Sequence, residues 1–188
     1  MAGHISRARI IAAAGGFSLA LALLEGCGPY RTYNGAPKGF STHPYRITYP
    51  RTFVANELPQ MSAEMMVLSL MTENKPVAPN APEAPAMIVV RCYRMREQET
   101  TQTFMERYYD DLEPRFLDLQ MRPVGPNPRA SEWSVTAGAG LFTARVIVLP
   151  REKLAYDVAT MCRPDRLKQF ETAFRRARDS FRLLPARP

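Results

Sequence analysis

The chain is 188 residues long, 46% apolar, 10% aromatic and 23% charged, with 25 basic against 18 acidic side chains and a formal net charge of +7. That is one domain's worth of ordinary globular sequence, which excludes a multidomain assembly, a disordered tail and a collagen-like rod. Three cysteines without a Cys-x-x-Cys pair exclude a thiol oxidoreductase of that type.

The first 26 residues open with Arg7 and Arg9 and continue as an apolar run from Ile10 to Leu24. A run of about 15 residues is shorter than the roughly 20 needed for a membrane-spanning helix, and Gly15 and Gly16 weaken it further. The pattern is that of a removable export signal. It closes on Leu24-Glu25-Gly26-Cys27, an aliphatic residue three before a cysteine with a small residue between. This resembles the lipobox of bacterial lipoproteins, with Glu25 in place of the usual small or apolar residue. The resemblance implies cleavage after Gly26 and lipid on Cys27, so that membrane binding is by anchor and not by a span. An uncleaved anchor, or a plain secretory signal with an incidental cysteine, is the alternative. Gly28 stands where inner-membrane retention would place aspartate, which implies the periplasmic face of the outer membrane. Residues 27–39 read as a tether: Gly28 to Lys38 carries Gly and Pro without an apolar period, and extends to at most roughly 35–40 Å.

Loss of Arg7, Arg9 and Glu25 takes the net charge from +7 to +6, so the mature domain stays basic. An exported protein meets little nucleic acid, and none is expected as partner, whereas lipid phosphates surround it. The basic bias is either a solvated surface or an anion site.

Residues 40–184 form the expected single domain. Tyr45 to Pro50 alternates apolar and polar residues as a half-buried strand stopped by proline, and Ala63 to Met71 reads as a second. Between Asn74 and Pro85 prolines recur every third residue, the period of polyproline II, which reads as an exposed hairpin loop or a docking ligand. Ala86 to Met95 is the strongest strand, with Ile88, Val90 and Cys92 on one face and Met87, Val89, Arg91 and Tyr93 on the other. Thr100 or Thr101 caps a helix running to about Phe116, in which Phe104, Tyr108 and Leu112 share a face and Pro114 frays the end. Strands over Ser131–Ala137, Leu141–Leu149 and Ala155–Cys162 follow, the first two joined by a Gly138-Ala139-Gly140 turn. Asp165–Phe181 closes the chain as an amphipathic helix with Leu167, Phe170, Phe174, Ala177 and Phe181 in one stripe.

With Cys27 lipidated, Cys92 and Cys162 remain in an oxidising compartment. They either bridge, closing a loop of about 70 residues for roughly 4 kcal/mol in the chain-entropy model, or stay as two buried free thiols on strands that are not neighbours.

The fold class is therefore α+β, a mostly antiparallel sheet of about six strands packed with helices. The early strand ending Tyr49-Pro50, the helix after the third strand, the antiparallel run and the last helix with Phe170, Phe174 and Ser180-Phe181 resemble the PsbP-like α-β-α sandwich. That group includes photosystem accessory subunits and bacterial envelope lipoproteins of the LpqN and DcrB kind. Phe53 stands where such proteins often carry tryptophan.

Residues with chemical potential are sparse. His43 is the one histidine after the signal and has no nucleophile or acid beside it in sequence. Asp110, Asp111 and Glu113 form the closest acid cluster, read as a solvated helix face or a cation-binding pair. Ser131 and Ser134 lack a G-x-S-x-G elbow, and the Gly138–Gly140 turn lies between strands instead of before a helix. No catalytic set, metal site or cofactor is expected. The expected function is a non-catalytic accessory or binding module for another envelope component. A carrier of a small ligand or lipid, motivated by Met65, Met66 and Met71, and an envelope hydrolase are the alternatives.

Overall fold

Period-two burial is clear over Met87–Cys92 and Phe142–Leu149, while Leu154–Met161 is buried almost throughout, and the computed structural model, which describes residues 28–56, 62–74, 85–124 and 132–185, gathers the strands into two antiparallel sheets. In chain order the elements are β1 (Tyr30–Gly35), β2 (Tyr45–Pro50), β3 (Phe53–Asn56), β4 (Met65–Glu73), β5 (Met87–Arg94), α1 (Thr101–Leu112), β6 (Gln120–Pro123), β7 (Glu132–Ala137), β8 (Phe142–Leu149), β9 (Leu154–Met161), α2 (Leu167–Ser180) and β10 (Arg182–Leu183). The larger sheet has seven strands in the order β3-β4-β5-β9-β8-β7-β6, and the smaller has three in the order β1-β2-β10. Cys27 with the signal, the interior of the Pro-rich run and Ser131 lie outside the described residues.

The two central strands of the large sheet are apolar on both faces, so each face needs a cover. On one face Ile88, Val90 and Cys92 of β5 join Tyr156 and Val158 of β9 beneath Phe170, Phe174, Ala177 and Phe181, with Tyr45, Ile47 and Tyr49 of β2 completing the core. On the other, Tyr93, Val135, Phe142, Ala144 and Val146 lie beneath Phe104, Met105, Tyr108 and Leu112 of α1. The layers are thus α1, the large sheet, then α2 together with the small sheet. Each large apolar side chain buried this way contributes about 1.5–3 kcal/mol.

Local chemistry sets the element ends. Thr100 caps α1 by accepting from the Thr103 amide at 3.2 Å, while its own amide donates to Thr103 Oγ1 at 2.9 Å, a reciprocal capping box. After Leu112 the chain tightens into a 3₁₀ turn over Glu113–Arg115 that contains Pro114, which shortens the expected helix by one turn. Gly138, Ala139 and Gly140 all take positive φ (56°, 53° and 96°) and join β7 to β8, as the turn signal predicts.

Three expectations are corrected. Residues 28–38 are not a free tether, because β1 pairs with β2 along its whole length, from Tyr30 opposite Pro50 to Gly35 opposite Tyr45. Only Tyr30 and Tyr33 on β1 are half-buried ahead of Gly35, so the apolar period is too thin to read, and the backbone ladder supplies the cohesion. The Tyr45 ring packs against Gly35, where an added Cβ would fall 2.1 Å from its Cε1 and Cζ atoms. Second, the large sheet gains two short edge strands, β3 and β6, and the small sheet gains β10, all shorter than a readable alternation. Third, Cys92 and Cys162 are both free thiols, but the strand of Cys92 and the strand that ends just before Cys162 are neighbours, so an offset along the pair and not a separation of strands keeps them apart. Cys92 pairs in register with Tyr156, and Cys162 lies six residues further along the same neighbour. Six strand residues span roughly 20 Å, against the limit of about 7 Å between bridged Cα atoms.

Candidate functional site

At the centre of the large sheet, Arg91 on β5 stands directly opposite Asp157 on β9. Both point to the α1 side. Asp157 Oδ1 accepts from Arg91 Nε at 3.0 Å and Oδ2 accepts from Arg91 Nη2, from Tyr108 Oη at 2.7 Å and from Tyr93 Oη at 3.4 Å. Asp157 is wholly buried, while the Arg91 side chain keeps 19% of its surface. Burial is the largest influence and disfavours the Arg91 cation, but the Asp157 charge, Tyr93, Tyr108 and the hydrogen bond to Asp157 together outweigh it and hold the Arg91 pKa well above the ordinary value. Burial and Asp157 together hold Tyr93 and Tyr108 well above the usual phenol range, so both stay donors.

Arg91 forms the floor of a cleft of about 230 Å³, rimmed by Glu64, Arg107, Asp111 and Arg115. The rim is itself paired: Arg107 Nε and Nη2 donate to Glu99 at 2.8 and 3.0 Å, and Arg107 Nη1 reaches Glu64 at 3.4 Å. This arrangement can hold an anion or a polar side chain against partly exposed guanidinium groups. It holds no activated nucleophile, since the carboxylate is saturated with donors and the tyrosines stay protonated.

A second polar cluster sits on the opposite face. Tyr156 Oη accepts from the Thr42 and His43 amides at 3.1 and 3.2 Å and lies 3.1 Å from Ser41 Oγ, tying the segment before β2 to the central sheet. His43 Nε2 meets Glu152 at 2.8 Å and Nδ1 meets the Leu184 carbonyl at 2.9 Å. Both ring nitrogens are occupied, so His43 closes the N-terminal segment onto the β8–β9 turn and the chain's end. Burial pushes the neighbouring Cys92 thiol up to about 12, which keeps it inert.

A third cluster lines a cleft of about 520 Å³ beside the last turn of α2, with Arg145, Arg175, Arg178 and Arg182 around Glu132 and Asp179. Much of this positive charge has a structural task. Arg145 donates to the Arg178 and Phe181 carbonyls at 2.9 and 3.0 Å while its other nitrogens bind Glu132 at 2.6 and 3.0 Å. Arg182 donates to the Asp179 carbonyl at 2.6 Å. These are the orphan carbonyls of a helix C-terminus, where cations are favoured. Arg178 inserts between the hydroxyls of Thr143 and Thr160, and burial pulls its pKa below the ordinary value.

The residues singled out from sequence are scattered. Asp110, Asp111 and Glu113 are all exposed, and among the described residues no group of three metal-ligating side chains comes together. Ser134 on β7 lines the arginine cleft, two strands away from β9, whose Tyr156 accepts from the His43 amide. Met66 and Met71 are wholly buried in the larger core and Met65 packs against the smaller one, so they fill the interior. The Arg91–Asp157 pair was missed, although its signal was present: one lone charge in the middle of each of two apolar strands.

No family model and no curated protein matches the chain. Solved structures with a similar layout include the cyanobacterial PsbP of Synechocystis sp. PCC 6803 (14% identity, TM-score 0.44, 85% of this chain and 96% of that one). Another is LpqN, involved in cell envelope biogenesis of Mycobacterium tuberculosis (12% identity, TM-score 0.48, 88% and 97%). A third is the Ran-binding protein Mog1p of Saccharomyces cerevisiae (7% identity, TM-score 0.45, 81% and 96%). Likeness at this level is no basis for transferring an activity or a partner.

Proposed function

We propose that the mature protein is a lipoprotein held through Cys27 at the periplasmic face of the outer membrane, and that its domain is a non-catalytic accessory or binding module for another envelope component. The observation that carries this reading is the shortness of the link: Gly28 and Pro29 alone separate the lipobox cysteine from β1. Two residues extend roughly 7 Å, so a domain anchored there works at the membrane surface. The clusters described above support the non-catalytic part of this reading, because Asp157, His43 and Tyr156 are taken up by hydrogen bonds that hold the fold together.

The test is the intact mass of protein taken from its native membrane, followed by crosslinking in intact cells. A mass for residues 27–188 plus acyl chains, lost in Cys27→Ser, is expected; an unacylated mass overturns the anchor. Crosslinking that captures no envelope protein above a lipid-tethered control domain overturns the accessory role.

A second reading, carriage of a small apolar ligand, is favoured by one cleft. Phe116, Leu117, Leu141, Met161 and Cys162 line about 340 Å³ where α1 runs out, and Leu117 is 82% exposed. Native mass spectrometry of gently purified protein should then retain a ligand, and bare protein would sink this reading.

A further inference from the structure

From the structure we infer that Arg31 on β1, Arg51 just after β2 and Arg176 on α2 form an arginine collar beside the small sheet, which lays the domain on anionic phospholipid. The inference rests on the Cys27 anchor. Residues 28–56 contain four basic side chains, Arg31, Lys38, Arg46 and Arg51, and not one acid. Folding gathers part of that charge at the point where the chain would leave the membrane. The Arg51 amide donates to the Pro29 carbonyl at 3.0 Å, and its Nε reaches the Tyr30 carbonyl at 3.4 Å. Arg176 crosses from α2 to lie 4.4 Å above the Tyr30 ring. Arg31 lies 4.8 Å above the Tyr49 ring and donates to the Phe53 carbonyl.

All three arginines are exposed, and each is oriented by a backbone carbonyl or an aromatic face. Among the described residues none forms an ion pair within 4.0 Å, in contrast to Arg91, Arg107, Arg145 and Arg166. A held, unneutralised guanidinium suits phosphate, which it binds through two parallel N–H donors. Tyr30 between Arg51 and Arg176 adds an amphipathic ring of the kind favoured at headgroup depth. A link of two residues leaves the collar little other surface to meet.

The experiment uses the acylated chain, its mass verified first, in vesicles of phosphatidylcholine with or without phosphatidylglycerol, with arginine-specific modification read by mass spectrometry. Phosphatidylglycerol is expected to reduce modification of Arg31, Arg51 and Arg176 by about fivefold, the order of the attraction of one arginine to an anionic surface. Arg96 and Arg122 serve as unchanged references, and high salt restores modification at the collar. The R51Q/R176Q variant should lose the protection at Arg31. Equal modification of the collar in both vesicles overturns the inference. An unacylated mass would overturn the anchor instead, and the collar is then judged by sedimentation of the same chain: preference for phosphatidylglycerol vesicles supports it, and equal recovery with neutral ones overturns it.

Discussion

Arg91 and Asp157 face each other in register across the third and fourth strands of a seven-stranded sheet, and the carboxylate is wholly enclosed. A charge pair in that position is costly to desolvate, and removing one member strands the other. Asp157→Asn should therefore destabilise the fold by about 3–5 kcal/mol. The double variant R91M/D157L, which removes both charges, should lose less than Asp157→Asn alone. Denaturant midpoints with an unchanged slope would measure both. A double variant that loses the sum of the single losses would show that the pair has no mutual compensation.

The thiols give a second expected outcome. Cys92 is enclosed and its pKa is pushed up to about 12, while Cys162 is raised less and stays partly accessible, both chiefly by burial. Alkylation of the native protein should modify Cys162 slowly and leave Cys92 untouched, and denaturation should open both. Reduction should leave the mass unchanged. A gain of two hydrogens on reduction would mean that the register placing Cys92 opposite Tyr156 is wrong.

What the sequence discloses here follows burial. Strong alternation in Ala86–Met95 and the aromatic stripe ending at Phe181 were readable because each buries one face deeply. Edge strands are different. β1 and β6 bury little side-chain surface and owe their place to backbone pairing, which leaves no trace in residue type. The candidate site was legible in part: Arg91 and a lone aspartate sit in the middle of two apolar runs, but only pairing register shows that they meet. The cysteine bridge fails for the same reason, since composition and compartment say nothing about a six-residue offset.

Glu99 predicts the acid response of the β5–α1 connection. Burial opposes its ionisation, but hydrogen bonds from Arg107 and from the Arg96 amide outweigh this and lower its pKa. A carboxylate with a lowered folded pKa contributes stability that is present above the unfolded value of about 4.3 and lost as pH falls through the folded one. The contribution is at most about 1 kcal/mol, as for other ion pairs near a surface. Glu99→Gln should flatten the stability profile below about pH 5 and leave it parallel to wild type above pH 6. A variant whose profile keeps the wild-type slope throughout would assign the acid response elsewhere.

The end of α2 carries the last prediction. Arg145 on β8 satisfies two carbonyls of the final turn and binds Glu132 on the neighbouring strand, so one side chain fastens the helix to the sheet. Arg145→Met keeps the aliphatic stem and removes every donor, which should cost about 2–3 kcal/mol, the range for hydrogen bonds to charged or buried acceptors. Glu132→Gln leaves both carbonyl bonds in place and should cost clearly less. Amide exchange distinguishes the two: Arg145→Met should speed exchange at Arg178 to Phe181 while β8 and β9 stay protected. Equal exchange in the two variants would mean that the ion pair, and not the carbonyl bonds, secures the helix end.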